Sequence, residues 1–388
     1  MKKVRFGIVG LGNQGTYYTS LFDGGEIPDG EITAMCDIAP SKIRAMRERG
    51  ERGVRYFSDY REMLDSGLCD AVLIETPHYL HPEIAEECLK RGIHVLCDKP
   101  AGVYTEQVAR MNAAAAKSGA LFGMMFNQRT NCVYRKMREM VAAGEIGRLQ
   151  RVVWIITHWF RSQCYYDTGS WRATWKGEGG GVLINQCPHQ LDLVEWVTGE
   201  IPVAVRGFCG YGKWHDIEVE DDVTAFFEYA NGATGVFVTT TGECPGVNRL
   251  EISGTKGRLV CDGERLWLYK NAQDSLEFSR TTDKVFGMPE VTEEEIPTDG
   301  SNPQHVGILN NFAAAVLGKE RLFVPGEEGI HGVELMNAIE LSGWNGGERI
   351  SLPIDGARYK RELDLRCAGS KELSLIHISE PTRLDVIS

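Results

Sequence analysis

No stretch of about 18 consecutive apolar residues occurs in this chain, so nothing in it reads as a helix that crosses a bilayer. The opening Met1-Lys2-Lys3-Val4 runs straight into a β-rich segment, without the apolar core of a signal peptide. An excess of positive charge is missing too. The chain has 42 Lys and Arg against 54 Asp and Glu, a formal charge of −12. That balance argues against nucleic acid and anionic membrane as partners. The 11 cysteines form no Cys-x-x-Cys pair, and several lie in apolar runs such as Ala34-Met35-Cys36. The pattern predicts buried thiols in a reducing compartment, and the expected location is cytoplasmic. No internal repeat or low-complexity tract is visible. A metal site is not expected either: His78 and His81 have no third ligand at suitable spacing.

What remains is ordinary globular material, 388 residues with 43 % hydrophobic and 25 % charged, comfortable for two domains. Over residues 1–126, short β-rich runs alternate with helical ones. This spacing predicts a parallel sheet covered on both faces, a doubly wound Rossmann dinucleotide-binding domain. Beyond residue 126 the rhythm changes. A helix is expected at Tyr134–Ala143, a long strand at Leu149–His158 and a helix at Gly181–Val197. Two-sided strands follow at Ala204–Cys209, Asp222–Tyr229, Thr234–Thr240, Asn248–Ser253 and Arg258–Asp262, with hairpin turns such as Asn231-Gly232. Residues 127–365 therefore read as an α+β domain with a large, mostly antiparallel open sheet. Two late helices, Pro303–Leu317 and Gly326–Trp344, are expected to reach back onto the first domain. The stretch Leu373–Arg383 matches the in-frame translation of a transposase sequencing adapter, as at the end of a metagenomic contig. Residues 373–388 are treated as an artefact tail and carry no fold expectation.

Gly10, Gly12 and Gly15 form G-x-G-x-x-G. The pattern is weak alone, but here it leaves a strand and enters a helix. Gly10 would make the tight turn, Gly12 would admit the pyrophosphate, and Gly15 would allow close helix–strand packing. With Asn13 and Gln14 they place free N–H groups at a helix start, where phosphate oxygens bind. Asp37 ends the second strand, where a carboxylate accepts hydrogen bonds from ribose hydroxyls and repels a 2′-phosphate. NAD is therefore the expected cofactor, with Ser41, Lys42 and Arg44 keeping NADP open.

Lys99 follows a strand and precedes Pro100, at the carboxyl edge of the predicted sheet. Taken alone it reads more readily as a solvated surface lysine. Asn185 and His189 are spaced to share one helical face, with Asp192 near enough to orient or charge-stabilise the imidazole. Histidine suits proton abstraction near neutral pH. Taken alone, His189 reads more readily as a packed core histidine. Trp159, Phe160, Tyr165, Tyr166, Trp171 and Trp175 crowd one loop with Arg161 and Arg172. Aromatic faces suit the C–H face of a pyranose, and arginines suit hydroxyls or an anionic group. The same residues could equally pack under the loop or form a subunit interface.

Five segments together resemble the Gfo/Idh/MocA oxidoreductases. They are Gly10 to Gly15, Thr76-Pro77-His78-Tyr79-Leu80-His81-Pro82, Asp98-Lys99-Pro100, Gly179 to His189, and Gly326-Glu327-Glu328-Gly329. The likeness spans roughly residues 4–355. It implies an NAD-dependent oxidoreductase that moves hydride between nicotinamide and a ring hydroxyl, expected at C3, of a sugar, glycoside or cyclitol. Lys99 matches the family's Glu-Lys-Pro lysine, with Asp98 in place of Glu. Lys99 and His189 become the proton-handling catalytic groups. Thr76, Pro77, His81 and Lys99 join the cofactor site. Asn185 stands where many members carry Asp; an amide accepts no proton, so it is assigned to substrate binding with Asp192, Trp159, Arg161, Tyr166, Trp171 and Arg172. The resemblance also implies a homodimer or homotetramer built through the C-terminal sheet. An alternative function is a redox glycosidase, which oxidises, eliminates, hydrates and reduces with no net redox change. A non-catalytic NAD sensor is a third.

Overall fold

The computed structural model describes residues 2–50, 53–168 and 171–370; the tail at 373–388 lies outside them. The first sheet contains β1 (Val4–Val9), β2 (Gly30–Cys36), β3 (Arg55–Phe57), β4 (Ala71–Ile74), β5 (His94–Cys97) and β6 (Phe122–Met124). Every pairing is parallel, in the order β3-β2-β1-β4-β5-β6. The helices α1 (Asn13–Asp23), α2 (Pro40–Glu48), α3 (Tyr60–Asp65), α4 (Leu80–Lys90) and α5 (Thr105–Ser118) connect the strands. All of β4 and nearly all of β1 are buried. Strands covered on both faces lose the polar alternation of a one-sided sheet, which is why these segments are short apolar runs. The strand order reverses between β1 and β4, and ligands bind at the carboxyl ends beside such a reversal. The glycine turn, Asp37, Thr76 and Lys99 follow β1, β2, β4 and β5, so all four lie on that edge.

Then come α6 (Cys132–Ala142), β7 (Leu149–Ile156), α7 (Gln163–Asp167), α8 (Val182–Asn185) and α9 (Pro188–Thr198). The strands β8 (Pro202–Tyr211), β9 (Glu220–Tyr229), β10 (Thr234–Thr240), β11 (Asn248–Gly254), β12 (Gly257–Asp262) and β13 (Arg265–Asn271) follow. After them run α10 (Ser275–Thr281), β14 (Val291–Glu295), α11 (Gln304–Val316), α12 (Gly329–Trp344), β15 (Ile350–Ser351) and α13 (Gly356–Gly369). The second sheet has nine strands in the order β14-β13-β12-β11-β7-β10-β9-β8-β15. It is antiparallel apart from the β7–β10 pair. On its inner face Trp154 packs against Tyr134 of α6 at 5.9 Å and Phe237 of β10 at 6.4 Å, ring centre to ring centre. On its outer face Trp267, Val260, Glu251, Val153, Val236 and Phe226 stand in register across neighbouring strands. The late helices return to the first sheet: Phe312 of α11 meets Phe6 at 6.3 Å, and the Asn337 side chain of α12 donates to Val103 O at 2.8 Å.

Two expectations need correction. The helix expected at Gly181–Val197 is broken into α8 and α9, with Gln186 and Cys187 between. Pro188 has no N–H to continue the first helix and instead opens the second. The strands β13, β14 and β15 and the helices α10 and α13 were not expected. The segment forming β14, Val-Thr-Glu-Glu-Glu, is wholly exposed and shows no apolar alternation, so only its pairing with β13 makes it a strand. Among the described residues no helix is long and apolar enough to cross a membrane. All eleven cysteines are free, and six are buried.

Candidate active site

The glycine turn is dictated by its neighbours. Gly10 has φ +102°, and a Cβ there would lie 2.4 Å from the Glu75 carbonyl oxygen. A Cβ on Gly15 would lie 2.0 Å from the Gly10 oxygen, so α1 can approach β1 only without a side chain. Gly12 differs: nothing lies within 4 Å of where its Cβ would stand, so the protein leaves that space open. It also begins α1 with no side-chain cap and no acidic residue in the first turn, so the helix start keeps its attraction for anions. Asp37 accepts from Leu11 N and Ala39 N, both at 2.8 Å, and Lys42 lies 3.4 Å away. The carboxylate thus fastens the glycine turn while each oxygen keeps a lone pair for a ribose hydroxyl. Thr76 Oγ1 and Glu75 Oε2 are buried with no partner among the described residues. Burial and the neighbouring Asp98 push the Glu75 carboxyl well above its ordinary range. Open space at Gly12, an unused Thr76 hydroxyl and a free helix start fit a dinucleotide. The Gln14 side chain leans on His305 of α11 at 3.5 Å.

His81 does not fit the cofactor role expected of it. Its ring nitrogens lie 2.8 Å from Pro100 O and 2.7 Å from Thr76 O, so neither is left for a ligand. The buried ring ties the loop after β4 to the loop after β5. Pro77 sits between Thr76 and His78 in the first of these loops.

Lys99 projects from the second loop, and its Nζ donates to the Asn185 backbone carbonyl at 2.9 Å. Two of its three N–H groups remain for other partners. His189, in the first turn of α9, packs edge-on to Phe126 at 6.3 Å, and its Nδ1 is buried with no partner among the described residues. Burial holds the imidazole well below its ordinary pKa, and the charge of Lys99 pushes the same way. Both influences favour the neutral form of the ring. Asp192 does not orient it. Its carboxylate is gripped by Arg129, Nε to Oδ2 at 2.8 Å and Nη2 to Oδ1 at 2.5 Å, with both side chains buried. Arg129 also reaches Glu328 at 2.5 Å. Asp192 is therefore a structural ion-pair partner, because the break before Pro188 sets α9 against Arg129.

Asn185 is held from both sides. Its amide donates to Glu178, and its Oδ1 accepts from Tyr165 OH at 3.4 Å and Gln186 Nε2 at 2.9 Å. Glu178 is buried, accepts from Ala173 N at 2.6 Å, and is pushed up by that burial. Its backbone oxygen lies 3.2 Å from His78 Nδ1. The turn Gly179–Gly181 that follows is fixed by Glu220, a buried carboxyl accepting from Gly181 N at 2.8 Å and Leu183 N at 3.0 Å and pushed up to about 7 by burial.

The aromatic loop divides. Trp175 is buried against Trp344 at 5.5 Å and serves packing. Tyr166 donates to Thr241 Oγ1 at 2.9 Å, so its hydroxyl is engaged within the protein. Trp171 meets His78 edge-on at 5.5 Å and carries Arg172 at 4.7 Å. Trp159 Nε1 and Arg161 Nε are buried without partners among the described residues. Tyr165 links Arg172, which donates to its hydroxyl at 3.0 Å, to Asn185. The site thus brings Lys99, Asn185, Tyr165, Arg172 and Trp171 into one connected cluster, with His189 near enough to Lys99 to feel its charge. Tyr165 was expected only as one of the loop aromatics; Glu178, His78 and His305 were not expected there. Glu178 beside three glycines was a usable signal; His305, remote on α11, had none.

A parallel sheet of order 3-2-1-4-5-6 and a glycine turn with Asp37 beyond it define a dinucleotide-binding domain. A family model described as an oxidoreductase family with NAD-binding Rossmann fold matches residues 4–126, and one for the GFO/IDH/MocA C-terminal domain matches 134–260. The chain belongs to the Gfo/Idh/MocA family and is an NAD-binding oxidoreductase. It is 26 % identical to myo-inositol 2-dehydrogenase of Thermotoga maritima over 270 residues, 68 % of this chain and 76 % of that protein. D-glucoside 3-dehydrogenase of Escherichia coli is 28 % identical over 219 residues, 53 % of this chain and 61 % of that protein. The WlbA dehydrogenase of Chromobacterium violaceum, solved with NADH and UDP-GlcNAcA, superposes with a TM-score of 0.78 at 27 % identity. The match covers 92 % of this chain and 97 % of that one.

Proposed function

We propose that this protein is an NAD-dependent dehydrogenase that oxidises a secondary ring hydroxyl, at C3, of a sugar, glycoside or cyclitol. The observation that carries the proposal is His189: a neutral imidazole with a buried, unpartnered Nδ1, beside the Lys99 ammonium. The glycine turn, Asp37 and Thr76 would hold the cofactor, and bound NAD supplies a hydride acceptor. His189 takes the hydroxyl proton as the carbinol is oxidised. Lys99 uses its free N–H groups to hydrogen-bond the same oxygen and stabilise its developing negative charge. Asn185 keeps Lys99 in position through its backbone carbonyl. Relatives named for oxidising inositol and the 3-position of glucosides support the substrate class.

The test is turnover of NAD with a panel of pyranosides and inositols, following NADH formation and aglycone release together. Lys99→Ala and His189→Ala are each expected to lower kcat by about 10²–10⁴-fold. Full turnover by both variants overturns the assignment. Aglycone release without accumulating NADH would instead identify a redox-neutral glycosidase.

A further inference from the structure

We propose that the substrate is an anionic sugar, carrying a carboxylate or a phosphate, and that Arg161 binds that group. This rests on the reading above that a sugar is oxidised here. The whole chain carries a formal charge of −12, yet the substrate side gathers cations. Arg161 and Arg172 each stack on the Tyr165 ring, both 5.1 Å from its centre. Tyr165 OH reaches Asn185, whose backbone holds the Lys99 ammonium, so three positive groups belong to one connected cluster.

Two of the three already have a carboxyl near them. Asp98 precedes Lys99 and accepts from its backbone N–H at 2.8 Å, and Glu178 lies 3.7 Å from Arg172. Arg161 has none: among the described residues no carboxylate lies within ion-pairing distance of it. Its Nη1 donates to the Phe160 carbonyl at 3.0 Å, and its Nε is buried with no partner. Trp159 Nε1, two residues earlier in the same loop, is likewise buried with no partner among the described residues. A guanidinium donor out of water without an acceptor is costly, and the cost is recovered when an oxyanion arrives.

The backbone around Arg161 is held in advance. Arg161 N donates to Thr241 O at 2.9 Å, and Arg161 O faces His215 Nε2 at 2.8 Å. The other nitrogen of His215 lies 3.0 Å from the buried Asp221 carboxylate. A planar fork of donors held this way matches carboxylate or phosphate geometry far better than a single hydroxyl.

The test compares methyl glucoside, methyl glucuronide and glucose 1-phosphate as substrates with NAD, in the wild-type chain and in Arg161→Gln. At least one anionic sugar is expected to exceed the neutral glycoside in kcat/KM by about tenfold or more. In Arg161→Gln that ratio should collapse toward one, mainly through KM, and Arg161→Lys should restore part of it. Preference for the glucuronide assigns a carboxylate; preference for the phosphate assigns a phosphoryl group. A neutral glycoside used as well as either anion overturns the proposal, as does a preference that survives in Arg161→Gln. If none of the three reduces NAD, calorimetric binding of glucuronate and glucose 1-phosphate to the NADH-loaded protein decides. Binding weakened by Arg161→Gln supports the anion site while the dehydrogenase reading falls; absence of binding ends the anion site itself.

Discussion

On the cofactor side the holding is done by backbone. Gly10, Gly12, Gly15 and Asp37 lie close together in the chain, and what matters about the glycines is the atom each lacks. On the substrate side the holding is done by side chains from distant segments. Lys99 follows β5, Tyr165 sits on α7, Asn185 ends α8 and His189 begins α9, and buried carboxyls at Glu178 and Glu220 keep them in place. The two halves are therefore vulnerable to opposite insults. The cradle fails when an atom is added; the substrate side fails when a buried charge loses its partner.

The largest expected effect is at the ion pair beneath α9. Arg129→Met strands the buried Asp192 carboxylate and should cost about 3–5 kcal/mol in denaturant unfolding, and Asp192→Leu added to it should recover most of that loss. An equally destabilised double variant would show that Arg129 acts through packing on Phe126 and Trp196 instead.

Next come the glycines, which divide the cradle itself. Gly15→Ala drives a Cβ into backbone and should cost about 1–3 kcal/mol of stability as well as NAD affinity. Gly12→Ala meets only open space, so its thermal midpoint should stay at the wild-type value while NAD binding weakens. A midpoint that falls equally in both variants would remove the distinction between a turn shaped for packing and a turn shaped for a ligand.

The smallest effect is in pH dependence. His189 is active neutral and is held below its ordinary value, so kcat/KM should stay level through neutral pH and fall only as pH drops through that depressed value. His78 and His305 are depressed by burial as well. The unfolded chain takes up protons on these rings below about 6.5 while the folded chain resists, so their contribution to stability is complete above that pH and shrinks as pH falls. A profile that declines from pH 7.5 downward would indicate an imidazole that is not depressed.

The same division decides how much was legible beforehand. The parallel sheet could be read because β1, β4 and β5 are short apolar runs between helical ones, a local pattern with a local cause. Gly10, Gly15 and Asp37 could be read because turn, strand end and helix start are all local. Lys99 and His189 are proposed through motif likeness, since neither residue type at its spacing points to catalysis by itself. Asp192 was misjudged because helical spacing from His189 takes no account of Arg129, 63 positions earlier. His81 was misjudged because its partners, the oxygens of Thr76 and Pro100, belong to two loops that meet only when β4 and β5 pair. Edge strands such as β14 are made by their neighbour and leave no apolar trace.

By itself, then, the sequence determined the sheet with its glycine turn and the residue types able to handle a proton. Backbone geometry and burial over a few residues follow from short-range sterics and hydrophobic periodicity. Tertiary structure alone decided which of the buried charges are spoken for. Asp192 is committed to Arg129, Glu178 to Asn185 and Ala173, and both nitrogens of His81 face carbonyls, whereas His189 Nδ1 and Arg161 Nε have no partner among the described residues. An ion pair or hydrogen bond depends on separations of a few ångströms between segments far apart in the chain, and no local pattern encodes those separations.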